Sequence, residues 1–183
     1  MSTDLQKKIE EKLQGKVNDA YDLQNYIAQN HLAELKELRT EHFQCKNLYA
    51  RQVFFDKNDV AVGRVHKKEH MALLVGGPFI VTTYICDSND KVLECLGTKE
   101  YKSGDIIVSM PGTKRAAIAL GDGSFICLHY AESETLDDLE EELMEKDYLG
   151  LYNSNNQLVN KQITQEAVQE RIEARERQLI GAK

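Results

Sequence analysis

No run of eighteen consecutive apolar residues occurs in the 183-residue chain, so no transmembrane helix is expected. The first residues, "MSTDLQKKIEEKLQ", are charged from the start and lack the apolar segment of a signal peptide, which leads to an expectation of cytoplasmic synthesis. No CxxC spacing links Cys45, Cys86, Cys95 and Cys127. A zinc cluster is therefore not expected, and buried reduced thiols are. There is no Lys/Arg run and no basic patch interleaved with aromatics, so neither nucleic acid nor a membrane is an expected partner. The net charge of −7 is uneven: residues 132–183 hold thirteen of the thirty acids and six of the twenty-three bases, which accounts for the whole excess.

Catalytic signatures are also missing. Ser109 and Ser124 have no base placed beside them by the sequence. "GDGS" has no helix behind it and reads as a hairpin turn rather than a phosphate loop. "DSND" carries oxygen donors without the spacing of a calcium loop.

What is present falls into three textures. Residues 1–46 form a helical extension on this reading, with Leu5, Ile9, Leu13, Val17 and later Leu32, Leu35 and Leu38 at spacings near 3.6. Residues 47–131 alternate short β-rich runs with turn signals: "YARQVFF", "ALLV", "FIVTTYIC", "KVLECLG", "IIVSM", "RAAIAL" and "FICLHY". About seven strands so spaced predict an all-β sandwich or barrel of jelly-roll type. Residues 132–183 return to acidic helix. Thr135 or Ser133 is placed to cap the first of two helices, and Leu136, Leu139, Leu143 and Met144 form its apolar stripe. A last helix is expected over 163–180.

The stretch "GRVHKKEHMALLVGG", from Gly63 to Gly77, carries the candidate site. Arg64, His66 and His70 stand at even spacings, which on one strand would put them on one face. The β region resembles the cupin family, whose first motif is G(x)5HxH(x)3-4E(x)6G and whose second contains PxG followed by a third histidine. Aligned on Gly77, His70 takes the glutamate position, His66 the second histidine and Arg64 the first; aligned on Gly112, Arg115 takes the third histidine position. The resemblance implies a cupin double-stranded β-helix. "H-K-x-E-H" together with "P-G-x-K-R" is similar, more narrowly, to small cupin-like proteins of tailed bacteriophages, over residues 49 to about 146.

Three readings of the site follow. His66 and His70, joined by His129 or Glu94, could hold a transition metal such as zinc, iron, nickel or manganese. The pocket could instead be empty, with hydrogen-bonded histidines and no cofactor. Or Arg64, His66, His70 and Arg115 could be an anion pocket. The preferred function is a non-enzymatic assembly protein, phage virion-associated, a homo-oligomer or partner of other virion proteins through its terminal helices. The alternatives are a metal-dependent isomerase, dioxygenase or lyase acting on a small anion, and a small-anion-binding module.

Overall fold

The computed structural model describes residues 37–88, 92–145, 152–153 and 155–157. The helices expected over most of 3–40 and over 163–180 lie outside these residues. Within them the chain makes nine strands and one helix: β1 (Thr40–Cys45), β2 (Leu48–Phe55), β3 (Val60–Val62), β4 (His70–Gly76), β5 (Phe79–Cys86), β6 (Val92–Tyr101), β7 (Ile106–Ser109), β8 (Thr113–Ala119), β9 (Gly123–Tyr130) and α1 (Leu136–Leu143). All pairings are antiparallel. One sheet runs β1-β2-β9-β4-β7 and the other β3-β8-β5-β6.

The barrel starts earlier than the expected boundary at 47. Leu38, assigned above to a helical stripe, is 4% exposed and sits in the barrel core. Thr40–Cys45 pairs with Leu48–Val53 through a tight turn in which Lys46 adopts a left-handed φ of 52°. The turn residues Lys46 and Asn47 are a weak hairpin signal, and a leucine spacing that continued to 38 masked it. β3 was missed because three residues are too few to show alternation.

Between the sheets the inward positions stack in layers fixed by register. Tyr49, His129, His70 and Ser109 are successive partners across β2, β9, β4 and β7. Two residues along lie Arg51, Cys127, Ala72 and Ile107. Two further lie Val53, Phe125 and Leu74, and then Phe55 at the far end. On the opposite sheet Arg115, Ala117 and Ala119 share the inward face of β8, level with Thr83, Val81 and Phe79. Phe55 meets Phe79 and Phe125 edge-on, at 5.6 and 5.4 Å between centroids. The barrel is thus polar toward one end and aromatic at the other.

Helix α1 closes the polar end. Thr135 Oγ1 accepts from the Asp138 amide at 3.3 Å, and Asp137 and Asp138 sit in the first turn where the helix dipole favours acids. Leu139, Leu143 and Met144 pack with Tyr49 and Ala131. Leu136, expected in the same stripe, is instead 38% exposed. Backbone bonds tie the helix end to the segment before β4: Lys67 N to Leu143 O at 2.8 Å and Glu145 N to Val65 O at 2.9 Å. The outer face of the smaller sheet is also buried, with Tyr84, Ala116 and Ile118 in one cluster and Tyr152 against it. No helix among the described residues is long and apolar enough to cross a membrane.

Candidate functional site

Arg64, His66 and His70 do not share a strand. β4 begins only at His70, and residues 64–69 form a connecting segment with a single bridge from His66 to Met144. The reason is competition from α1. Lys67 Nζ donates to the Glu141 carbonyl, Lys68 Nζ pairs with the Glu142 carboxylate, and Arg64 binds Glu140 and the Glu145 carbonyl. Arg64 is thereby engaged by the helix, its charge is matched by Glu140, and it also lines an interior cavity. Glu94 is exposed on β6, an edge strand, and does not join the histidines.

His66, His70 and His129 do come together, with ring nitrogens within 4.8 Å of one another. His66 and His70 are face-stacked, 3.8 Å between centroids at 23°, and His129 lies 4.7 Å from His70 and 5.2 Å from His66. All three are held below the usual histidine pKa. Burial is the main cause in each case. It is aided by repulsion from the neighbouring rings and Arg115 at His66, which lies well below normal. His70 is lowered to about 4 by burial and Arg115, against a raising contact from the Lys68 carbonyl. His129 is lowered to about 3 by burial, His70, Arg51 and Lys68. At neutral pH the cluster is uncharged.

His70 Nδ1 lies 3.3 Å from the Lys68 carbonyl oxygen and Nε2 lies 3.4 Å from Arg115 Nη1. The tautomer protonated at Nδ1 satisfies both, donating to Lys68 and accepting from Arg115. Both nitrogens of His129, and Nδ1 of His66, are buried with no hydrogen-bond partner among the described residues.

Three imidazoles are a donor set that suits zinc or iron. Their nitrogens lie close enough to converge on one ion, while the rings of His66 and His70 stack face to face. Metal-bound imidazoles aim their in-plane lone pairs at a common point about 2.0–2.1 Å away. Rings stacked at 3.8 Å and inclined at 23° would have to turn before both lone pairs met one ion. The third position, read from the family motif as a histidine, is Arg115, whose guanidinium approaches the one nitrogen of His70 left to bind a metal.

The feature that sequence reading missed is Arg51. It points into the barrel beside Cys127, one layer below the histidines. Its Nη2 donates to Asn156 Oδ1 at 2.8 Å, and its Nε has no partner among the described residues. Arg115 Nη2 donates to Ser109 Oγ, and its Nε likewise has no partner among the described residues. No carboxylate faces either guanidinium among the described residues. Both line a cavity of about 120 Å³ whose other walls include His66, Val53, Phe125 and Ala117. A cleft of about 280 Å³ between β6 and β7 reaches Arg115 and Ser109 from outside. The missed signal was the alternation of "YARQVFF": Tyr49, Val53 and Phe55 take the inward positions, and Arg51 stands among them.

Cys127 is a free thiol in the same layer, its pKa pushed up by burial. Of the four cysteines expected to be buried, Cys86 is, Cys95 and Cys127 are partly so, and Cys45 is exposed.

The fold and site thus define a two-sheet antiparallel β-barrel with a cationic, histidine-topped interior. No family model matches the sequence, and no curated protein matches it. Among solved structures, KdgF from a Halomonas species is 18% identical, with 56% of this chain and 85% of that one covered at a TM-score of 0.42. A cupin superfamily protein from Desulfitobacterium hafniense is 8% identical over 53% and 80%, at 0.40. Oxalate decarboxylase from Lactobacillus farciminis is 14% identical over 56% and 31%, at 0.43. Cupin-superfamily proteins are therefore among its structural neighbours.

Proposed function

We propose that this protein binds a small anion inside the barrel, between Arg51 and Arg115, and performs no chemistry on it. One observation carries the reading: of the three arginines that line an interior cavity, Arg64 pairs with Glu140, while Arg51 and Arg115 face no carboxylate among the described residues. Leaving a charge buried without a counter-charge costs several kcal/mol, about 3–5 when one partner of a buried pair is removed. A bound carboxylate offsets that cost and supplies acceptors for the two unpartnered Nε–H groups. The test is thermal unfolding of wild type, Arg51→Gln and Arg115→Gln against a panel of small anions. Wild type is stabilised, by about 2.7 kcal/mol at a hundredfold excess over Kd, and the variants are not. No stabilisation of wild type by any anion at millimolar concentration would overturn the reading.

A second reading, an assembly role, has its own observation. The outward positions of β4, β7 and β9 carry no charge at all. Leu48, Met71, Val75, Ile106, Val108 and Tyr130 on this sheet face are 43–62% exposed, and Phe43 extends it onto β1. At about 200 Å² for a large side chain, half exposed, these seven present roughly 700 Å². That approaches the ~800 Å² each partner contributes to a standard interface. The occupant we propose is a second copy of the chain, since an uncharged face meets its own copy without like-charge repulsion. Sedimentation of wild type as a dimer and of Met71→Glu/Val108→Glu as a monomer supports it; a monomeric wild type at high micromolar concentration rules it out. A place in a phage virion rests on the sequence resemblance alone, and the terminal helices expected to serve it lie outside the described residues.

A further inference from the structure

Resting on the anion reading above, we infer that the ligand is a short aliphatic monocarboxylate, its head between Arg51 and Arg115 and its chain in the layer lined by Val53, Val81, Ala117 and Phe125. The cavity is polarised along one axis. At the level of Arg51 and Arg115 the groups are donors. One layer further in, every named wall residue is apolar, and Phe55 lies beyond. Among the described residues no donor sits in that deeper layer to meet a second charged group. A dicarboxylate or a phosphate placed here would desolvate oxygens with nothing to receive them.

Size sets the chain length. A buried cavity of about 150 Å³ holds benzene, so 120 Å³ matches an acid of roughly four to six non-hydrogen atoms, from acetate to butyrate. Drug-sized ligands take pockets of about 300–1,000 Å³ and are too large. The small side chains of Ala72, Ala117 and Ala61 are what leave the space, since the register puts an alanine at adjacent inward positions of β3 and β8. The cleft between β6 and β7 that reaches Arg115 supplies a route for the head group.

The experiment is calorimetric titration of the full chain with sodium formate, acetate, propionate, butyrate, hexanoate, succinate and inorganic phosphate. It is repeated on Ala117→Leu, which fills the apolar layer without touching either arginine, and on Arg115→Gln. Affinity is expected to rise about fourfold per methylene from acetate to butyrate and to collapse at hexanoate. Succinate and phosphate should bind more weakly than butyrate. Ala117→Leu should erase the gain beyond acetate while leaving formate unchanged, and Arg115→Gln should weaken every member of the series. Affinity independent of chain length, or phosphate or succinate as the tightest ligand, overturns the monocarboxylate assignment and leaves the anion reading standing. Chain-length dependence untouched by Ala117→Leu also overturns it, because the tail then lies elsewhere. No binding by any anion removes both.

Discussion

Arg51→Met should make the ligand-free protein more stable. In the wild type the Arg51 guanidinium is in the barrel interior, held by Asn156 Oδ1 and facing no acid among the described residues. Replacing it with an unbranched apolar side chain of similar length removes an uncompensated buried charge, a cost of about 3–5 kcal/mol. It also removes one hydrogen bond from a charged donor, worth about 1.5–3 kcal/mol. Asn156 keeps its Nδ2 bond to Thr40 Oγ1 at 2.7 Å, so only its Oδ1 loses a partner. The difference is a stabilisation of about 1–3 kcal/mol. For a chain of this size, that is a rise in Tm of about 2–12 °C. The assay is urea unfolding followed by circular dichroism, in a buffer free of carboxylates and phosphate; guanidinium chloride is unsuitable because it brings a competing cation. The same variant should lose anion-dependent stabilisation. A ligand-free Arg51→Met protein less stable than wild type by more than about 1 kcal/mol would show that the guanidinium is already satisfied. The central argument would then fail.

Three further outcomes are expected. Protein purified without a histidine tag should hold well under one transition metal per chain, and His66→Ala/His70→Ala should not change that. About one metal per chain, lost in the double variant, would mean that the stacked rings rotate to bind it. Stability should fall as pH drops below 6.5, because the unfolded chain takes up protons that His70 and His129, lowered to about 4 and about 3, refuse when folded. Each of the two contributes a slope of about 1.4 kcal/mol per pH unit until its folded pKa is reached. His129→Phe should flatten that slope, and an unfolding midpoint constant from pH 7 to 5 would refute the lowered pKa values. Gly76→Ala should cost about 1–3 kcal/mol in urea unfolding; its φ is 73°, and an added Cβ would meet the Asp122 carbonyl oxygen at 2.5 Å. An unchanged midpoint would show that the turn after β4 can relax.

The β-rich middle of the chain was legible because its runs alternate with turn residues, and alternation is what a sheet with one buried face imposes. Seven of the nine strands follow from that pattern, and Thr135 follows as a cap from its place before Asp137 and Asp138. The site was less legible. Even spacing placed Arg64, His66 and His70 on one strand, but the lysines between them bond to α1 and pull the segment out of the sheet. His66 and His70 still meet, through the bridge to Met144 rather than through strand parity. Glu94 shows the opposite limit. Its position on a strand is visible from sequence, but whether that strand is an edge depends on pairings between distant segments.

The interior and exterior readings do not compete, because they use alternate residues of the same strands. His70, Ala72 and Leu74 face the barrel, while Met71, Leu73 and Val75 face out. Sites more than about 7–10 Å apart with no shared partner behave additively, within about 0.3–0.5 kcal/mol. Met71→Glu/Val108→Glu should therefore leave anion affinity unchanged while abolishing self-association, and Arg115→Gln should do the reverse. Loss of both properties in either variant would mean that the pocket is completed by pairing. β7 is the element to suspect in that case: its Ser109 holds Arg115 from inside, while its Val108 lies on the face that pairs.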